Sequence, residues 1–93
     1  MKRAIDKLRD LVREERYQIS MHANEEMSSD SLVVVDIENA VLSGKITKRF
    51  TKEPRGTRYE ITGQACDGRS VAVICRILGN GWLRIVTVFA LED

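Results

Sequence analysis

His22 is the sole histidine of this 93-residue chain and the one side chain whose ordinary pKa lies near neutrality. Glu25 and Glu26 follow it at i+3 and i+4, within reach along a helix surface. A carboxylate beside an imidazole fixes its tautomer and raises its basicity, which is what general acid/base work requires. A helix N-terminus pushes the other way. The same residues also describe a histidine packed at a helix–sheet junction and chemically idle, the commoner case for an isolated histidine. Arg58 and Arg84, with Glu60 nearby and Lys48 and Arg49 alongside, form the second constellation. Guanidinium forks engage phosphate bidentately, so a phosphodiester is the substrate class they favour. The plain alternative is an exposed cross-strand ion pair between Glu60 and an arginine, worth under about 1 kcal/mol. Trp82 is placed either to stack a base or to pack at a rim. Gly79-Asn80-Gly81 is a hairpin turn, because it lacks the strand–glycine-loop–helix context of a phosphate loop.

The elements that must position these groups follow from spacing. Met1, Ile5, Leu8 and Val12 recur at helical intervals between charges, predicting an amphipathic helix over residues 2–16. Tyr17, Ile19 and Met21 alternate with polar residues as a short extended piece. Ser20 is placed to cap a second helix over 22–27, Ser28 to Ser31 break it, and a third helix spans about 34–43. Ile37, Ala40 and Val41 are its buried stripe, Asp36 suits its positive end, and Gly44 fits the C′ position. Strands follow: Lys45–Lys52, with Ile46 and Phe50 on one face, then Arg58–Ala65, Ser70–Leu78 and Trp82–Ala90. Asp67-Gly68 and Asn80-Gly81 read as two-residue type I′ turns.

Those turns set Tyr59 opposite Arg76 and Arg76 opposite Ile85. Tyr59, Ile61, Ala72, Ile74, Leu78, Leu83, Ile85 and Phe89 then share the helix-covered face with Arg76 and Thr87. Arg58, Glu60, Thr62, Gln64, Arg84, Val71, Val73, Val86 and Val88 share the open one. The expectation is one α+β domain over residues 1–93, with about three N-terminal helices on one face of a four-stranded antiparallel meander.

Composition sets the bounds. The chain is 43% hydrophobic and 31% charged with a net charge of +1, an ordinary globular balance that argues against intrinsic disorder. Charge is unevenly spread: residues 45–58 carry six Lys/Arg against one acid, whereas 17–44 carry five acids and no Lys/Arg. A basic segment is either a footprint for phosphates or an edge strand protected from aggregation. No apolar run approaches a membrane span and the charged N-terminus has no signal-peptide core, so a cytoplasmic protein is expected. Cys66 and Cys75 form no CxxC and imply neither a disulfide framework nor a zinc site. No cofactor or metal is implied.

Taken together, several stretches resemble a small bacterial family designated a domain of unknown function. They are Ser20-Met21-His22-Ala23-Asn24-Glu25-Glu26-Met27, Asp36-Ile37-Glu38-Asn39-Ala40-Val41-Leu42-Ser43-Gly44, Arg58-Tyr59, Asp67-Gly68 with Val71-Ala72-Val73-Ile74, and Ile85-Val86-Thr87-Val88-Phe89. The resemblance runs over residues 17–90. That family in turn resembles the RelE-like and BrnT-like toxins, compact α+β ribonucleases that pair with small antitoxins and cut RNA without a metal. The resemblance implies a RelE-like fold and a toxin-type endoribonuclease. In it His22 serves as acid/base, Arg58 steadies the phosphate, and Tyr59 and Thr87 line or support the site; the residues themselves add Glu25 beside His22 and Lys48, Arg49 and Arg84, with Thr87, as RNA contacts. The partners it implies are an RNA substrate and a small antitoxin protein. Glu26 departs from the pattern, standing where the family has arginine, and Ser28 to Leu32 replaces a stretch that usually contains Arg-Gly-Ile. The alternative readings are a non-catalytic protein- or RNA-binding module and a small structural protein forming a homodimer through an edge strand.

Overall fold

The computed structural model describes residues 3–91; the calls on Met1 and Lys2 lie outside them. Three helices, α1 (Ala4–Arg13), α2 (Met21–Ser29) and α3 (Val34–Ser43), accompany five strands. The strands are β1 (Tyr17–Ile19), β2 (Lys45–Phe50), β3 (Arg58–Gln64), β4 (Ser70–Ile77) and β5 (Leu83–Ala90). Their order across the sheet is β1-β5-β4-β3-β2, with β1 parallel to β5 and every other pair antiparallel. The α+β class stands, and the four-stranded antiparallel meander is corrected to a five-stranded mixed sheet. The extended piece at Tyr17–Ile19 is short because α1 returns the chain to the sheet for only three pairings.

The helices cover one face. Leu8, Leu11 and Val12 of α1, Ala23 and Met27 of α2, and Ile37, Ala40 and Val41 of α3 form one core with Ile61, Val71, Val73, Cys75, Leu83, Ile85 and Val88. Helix α3 lies so close to β3 that a Cβ on Gly63 would fall onto the Ala40 carbonyl. Gly44 is required for the same reason: its φ is −91°, not left-handed, and a side chain there would meet the Ala40 and Thr62 carbonyls. Helix α2 is longer than expected, running through Ser28 and Ser29 before ending at Asp30.

Both hairpins turn differently from the expectation. Each loop has three residues, Cys66-Asp67-Gly68 and Gly79-Asn80-Gly81, with Gly68 at φ +90° and Gly81 at φ +89°. Ala65 N–H donates to the Arg69 carbonyl across the first loop, and Leu78 N–H to the Trp82 carbonyl across the second. Asp67 and Asn80 each accept the backbone N–H two residues on, which sets the Asx geometry of a type I turn followed by a left-handed glycine.

One extra residue per loop shifts each register by one, and a one-residue shift exchanges faces. Tyr59 therefore pairs with Cys75, and Arg76 with Arg58 and Arg84. On β4, Val71 and Val73 are the buried pair and Ala72, Ile74 and Arg76 take the open face, the reverse of the expected assignment. A bulge at Val86 returns the far half of β5 to the expected pairing with β4, which carries Thr87 and Phe89 to the open face and Val88 inward. A second bulge at Thr47 parts Ile46, paired with Ile61, from Phe50, paired with Arg58. Those two are thus on opposite faces, not one.

Candidate functional site

Across the open face, at one level of the sheet, runs a row of directly opposed residues: Phe50 on β2, Arg58 on β3, Arg76 on β4, Arg84 on β5 and Gln18 on β1. Strands lie about 4.8 Å apart, so three arginines leave the sheet side by side. Their ends are held. Arg58 Nη2 donates to Glu53 Oε1 at 2.5 Å and the guanidinium lies 5.5 Å above the Phe50 ring. Arg84 Nη1 donates to Gln18 Oε1 at 3.3 Å. The middle one is not: among the described residues Arg76 makes no ion pair or hydrogen bond, and its Nε, like that of Arg58, is shielded from solvent without an acceptor.

Like charges directly opposed on a sheet repel, and a shielded donor without a partner costs about 1–3 kcal/mol. An anion spanning the row would relieve the repulsion. The next row holds Lys48, Glu60, Ile74 and Thr87. There Glu60 accepts from the Thr47 hydroxyl at 3.2 Å and forms no ion pair among the described residues. Trp82, 40% exposed, immediately precedes β5.

Of the expected site residues, Arg58, Arg84, Lys48 and Thr87 are on this face. Arg49 is not: it pairs with Tyr59 and stacks over that ring at 5.9 Å, on the helix-covered side. Tyr59 packs against the core and faces away from Arg58. His22 and Glu25 are on α2, which packs against β5, two strands away from β3 and on the helix side of the sheet. The structure therefore does not bring His22 and Tyr59 to Arg58. The central member of the row, Arg76, was assigned to the covered face on the two-residue turn reading. The signal that would have found it is the tripeptide form of both turns, Cys-Asp-Gly and Gly-Asn-Gly, which fits a three-residue loop equally well.

His22 opens a shallow hollow of about 310 Å³ lined with Glu25, Glu26, Ser29 and Asp30. The imidazole side chain is 68% exposed, with Nε2 3.4 Å from Glu26 Oε1. The carboxylates here have structural work. Strand β1 covers β5 only as far as Ile85, and beyond it α2 supplies the missing hydrogen bonds. Ser20 Oγ donates to the Val86 carbonyl at 2.9 Å and accepts from Ala23 N–H at 3.0 Å, fulfilling its capping role. Glu26 Oε1 accepts from Val88 N–H, and Asp30 Oδ2 from Ala90 N–H. Arg69 then ties the β3–β4 hairpin to the end of α2, donating to the Asp30 and Ser31 carbonyls at 2.7 and 3.1 Å.

A helix-covered mixed sheet whose bare face carries aligned arginines defines a small α+β domain built around a cationic surface. Residues 19–90 match the family model described as Domain of unknown function (DUF4258), and the chain belongs to that family. No curated protein and no solved structure is significantly similar to it. Among the described residues no helix is long and apolar enough to cross a membrane.

Proposed function

We propose that this protein is a non-catalytic module that binds single-stranded RNA across the open face of its sheet. The observation that carries the reading is the Arg58–Arg76–Arg84 row, in which the central guanidinium has no partner among the described residues. Three arginines in one row suit the phosphates of a flexible strand. Lys48 extends the cationic strip toward β2, and Phe50 and Trp82 sit at its margins as stacking surfaces for splayed bases. The toxin-type ribonuclease reading required His22 and Arg58 on one patch. Their separation by the sheet, and the use of Glu26 and Asp30 to close the β5 edge, favour binding without cleavage.

The test is fluorescence anisotropy with a labelled single-stranded RNA, titrated at several salt concentrations. Wild type should bind with a logarithmic salt slope of about −2, the value for three phosphate contacts at roughly 0.7 each. Arg58→Gln/Arg76→Gln/Arg84→Gln should abolish binding. Affinity unchanged by the triple substitution, or tighter binding to an acidic peptide than to RNA, would refute the reading.

A further inference from the structure

A second cationic feature lies on the helix-covered side, independent of the arginine row. Between the first turns of α1 and strand β2 is a cleft of about 460 Å³, within the range of small-ligand sites. Ile5 and Ile46 give it apolar walls, Arg3, Arg9 and Arg49 line it as cations, and Lys45, opposite Thr62 at the start of β2, stands at its rim. Asp6 answers two of them. Asp6 lies 3.1 Å from Arg3 Nε and 4.0 Å from Arg9 Nη1. Arg9 is anchored by a 2.7 Å bond from Nη2 to the Gly44 carbonyl, while its Nε is shielded and has no acceptor. Arg49 is held by the Tyr59 ring, and Lys45, exposed at the start of β2, has no anionic partner among the described residues.

We infer that this cleft binds a phosphate monoester carried on a small apolar or aromatic body. A monoester is close to a dianion at neutral pH, which matches the excess of cations over Asp6. Arg9 Nη1, Arg49 and Lys45 at the rim offer donors to its oxygens, and Ile5 and Ile46 cover its body. Residues 3–9, one wall of the cleft, precede the stretch matched by the family model. The same group is presented by a free mononucleotide and by the 5′ end of an RNA chain.

The experiment is an amide-resolved NMR titration of the intact chain with phenyl phosphate, inorganic phosphate and phenol. Phenyl phosphate should give saturable shifts at Ala4, Ile5 and Ile46, inorganic phosphate should bind several-fold more weakly, and phenol should leave these amides unmoved. Lys45→Ala/Arg49→Ala should weaken phenyl phosphate by about tenfold or more, as loss of charge-assisted hydrogen bonds predicts. The triple substitution of the arginine row should leave it unchanged, which separates this site from the RNA-binding face. Arg9→Gln, checked for folding by circular dichroism, should weaken it similarly while keeping a donor for Gly44. Non-saturable shifts, equal binding of inorganic phosphate, or indifference to the Lys45/Arg49 substitutions would overturn the assignment. Preference for a 5′-phosphorylated over a 5′-hydroxyl oligonucleotide would identify the chain end as the source. Binding of adenosine monophosphate without that preference would identify the free mononucleotide.

Discussion

Glu26 Oε1 accepts the backbone N–H of Val88 at 3.1 Å while standing 3.4 Å from His22 Nε2. The carboxylate nearest the lone histidine is thus an edge closure for β5, filling the position where the bulge at Val86 and the end of β1 leave the strand uncovered. A charge that reads in sequence as half of an acid/base pair does the work of a missing ladder partner.

That arrangement predicts unequal effects for its two members. Glu26→Ala leaves the Val88 N–H without its partner and should destabilise the fold by about 1–2 kcal/mol. His22→Ala should shift the urea midpoint very little, since the imidazole is mostly exposed and such pairs contribute under about 1 kcal/mol. His22→Ala should also leave RNA binding unchanged. Incubation of RNA with either protein in EDTA should return intact RNA; cleavage that His22→Ala abolishes would restore the nuclease reading.

Arg76 should trade stability against binding. Arg76→Thr removes a like-charge opposition from the middle of the sheet and places a β-branched residue on a strand. The free protein should become more stable by about 0.5–1 kcal/mol, with a higher melting temperature by calorimetry. RNA affinity should fall about tenfold and the salt slope flatten by about 0.7. A loss of both stability and affinity would mean that the row is structural.

Gly63 is the closest point between helix layer and sheet. Gly63→Ala forces a methyl onto the backbone of α3 at Ala40, a contact with carbonyl atoms that no rotamer change relieves. The expected loss is about 3 kcal/mol or more, read as a shifted denaturant midpoint with an unchanged slope.

Asp36 confers an acid dependence. Its carboxyl accepts the N–H of Val33 at 2.9 Å and of Cys66 at 3.0 Å, fastening the start of α3 to the β3–β4 hairpin. These two bonds hold its pKa below the ordinary 3.8. The unfolded chain therefore binds its proton at higher pH than the folded one. The stabilisation is complete above about pH 5 and is lost as pH falls through the folded pKa. Urea midpoints from pH 7 down to 2 should fall for wild type, and the gap to Asp36→Asn should narrow toward the acid end. A constant gap would show that Asp36 keeps its proton state throughout.

The two thiols should separate cleanly. Cys75 is buried between β4 neighbours and burial pushes its pKa up to about 12; Cys66 is on the exposed hairpin. A thiol reagent at pH 8 should label one cysteine per native chain and two after denaturation.

Much of the fold was legible in residue order. The helical spacing of Ile5, Leu8 and Val12, the Ser20 cap, the stripe Ile37-Ala40-Val41 and the four strand segments after Gly44 each reflect a local preference that survives in the folded chain. The face that each strand residue occupies was not, because facing is decided by counting residues around turns and bulges. Asp67-Gly68 and Asn80-Gly81 mark hairpins without settling whether two or three residues form the loop, and the bulges at Thr47 and Val86 have no local signature. The alternation on β3 was right, since it depends on that strand alone, and so Arg58 was placed on the open face. Arg76 was not, because its side depends on a register set by Gly68 in its left-handed conformation.

Nor could Tyr17–Ile19 be known as a fifth strand, since its partner is more than sixty residues away and runs parallel. His22, Glu25 and Glu26 were correctly grouped on one helix, but only packing against β5 decided that the carboxylate would bind the backbone. Local chemistry chose the elements; the sheet, through register and edges, chose which charges would meet.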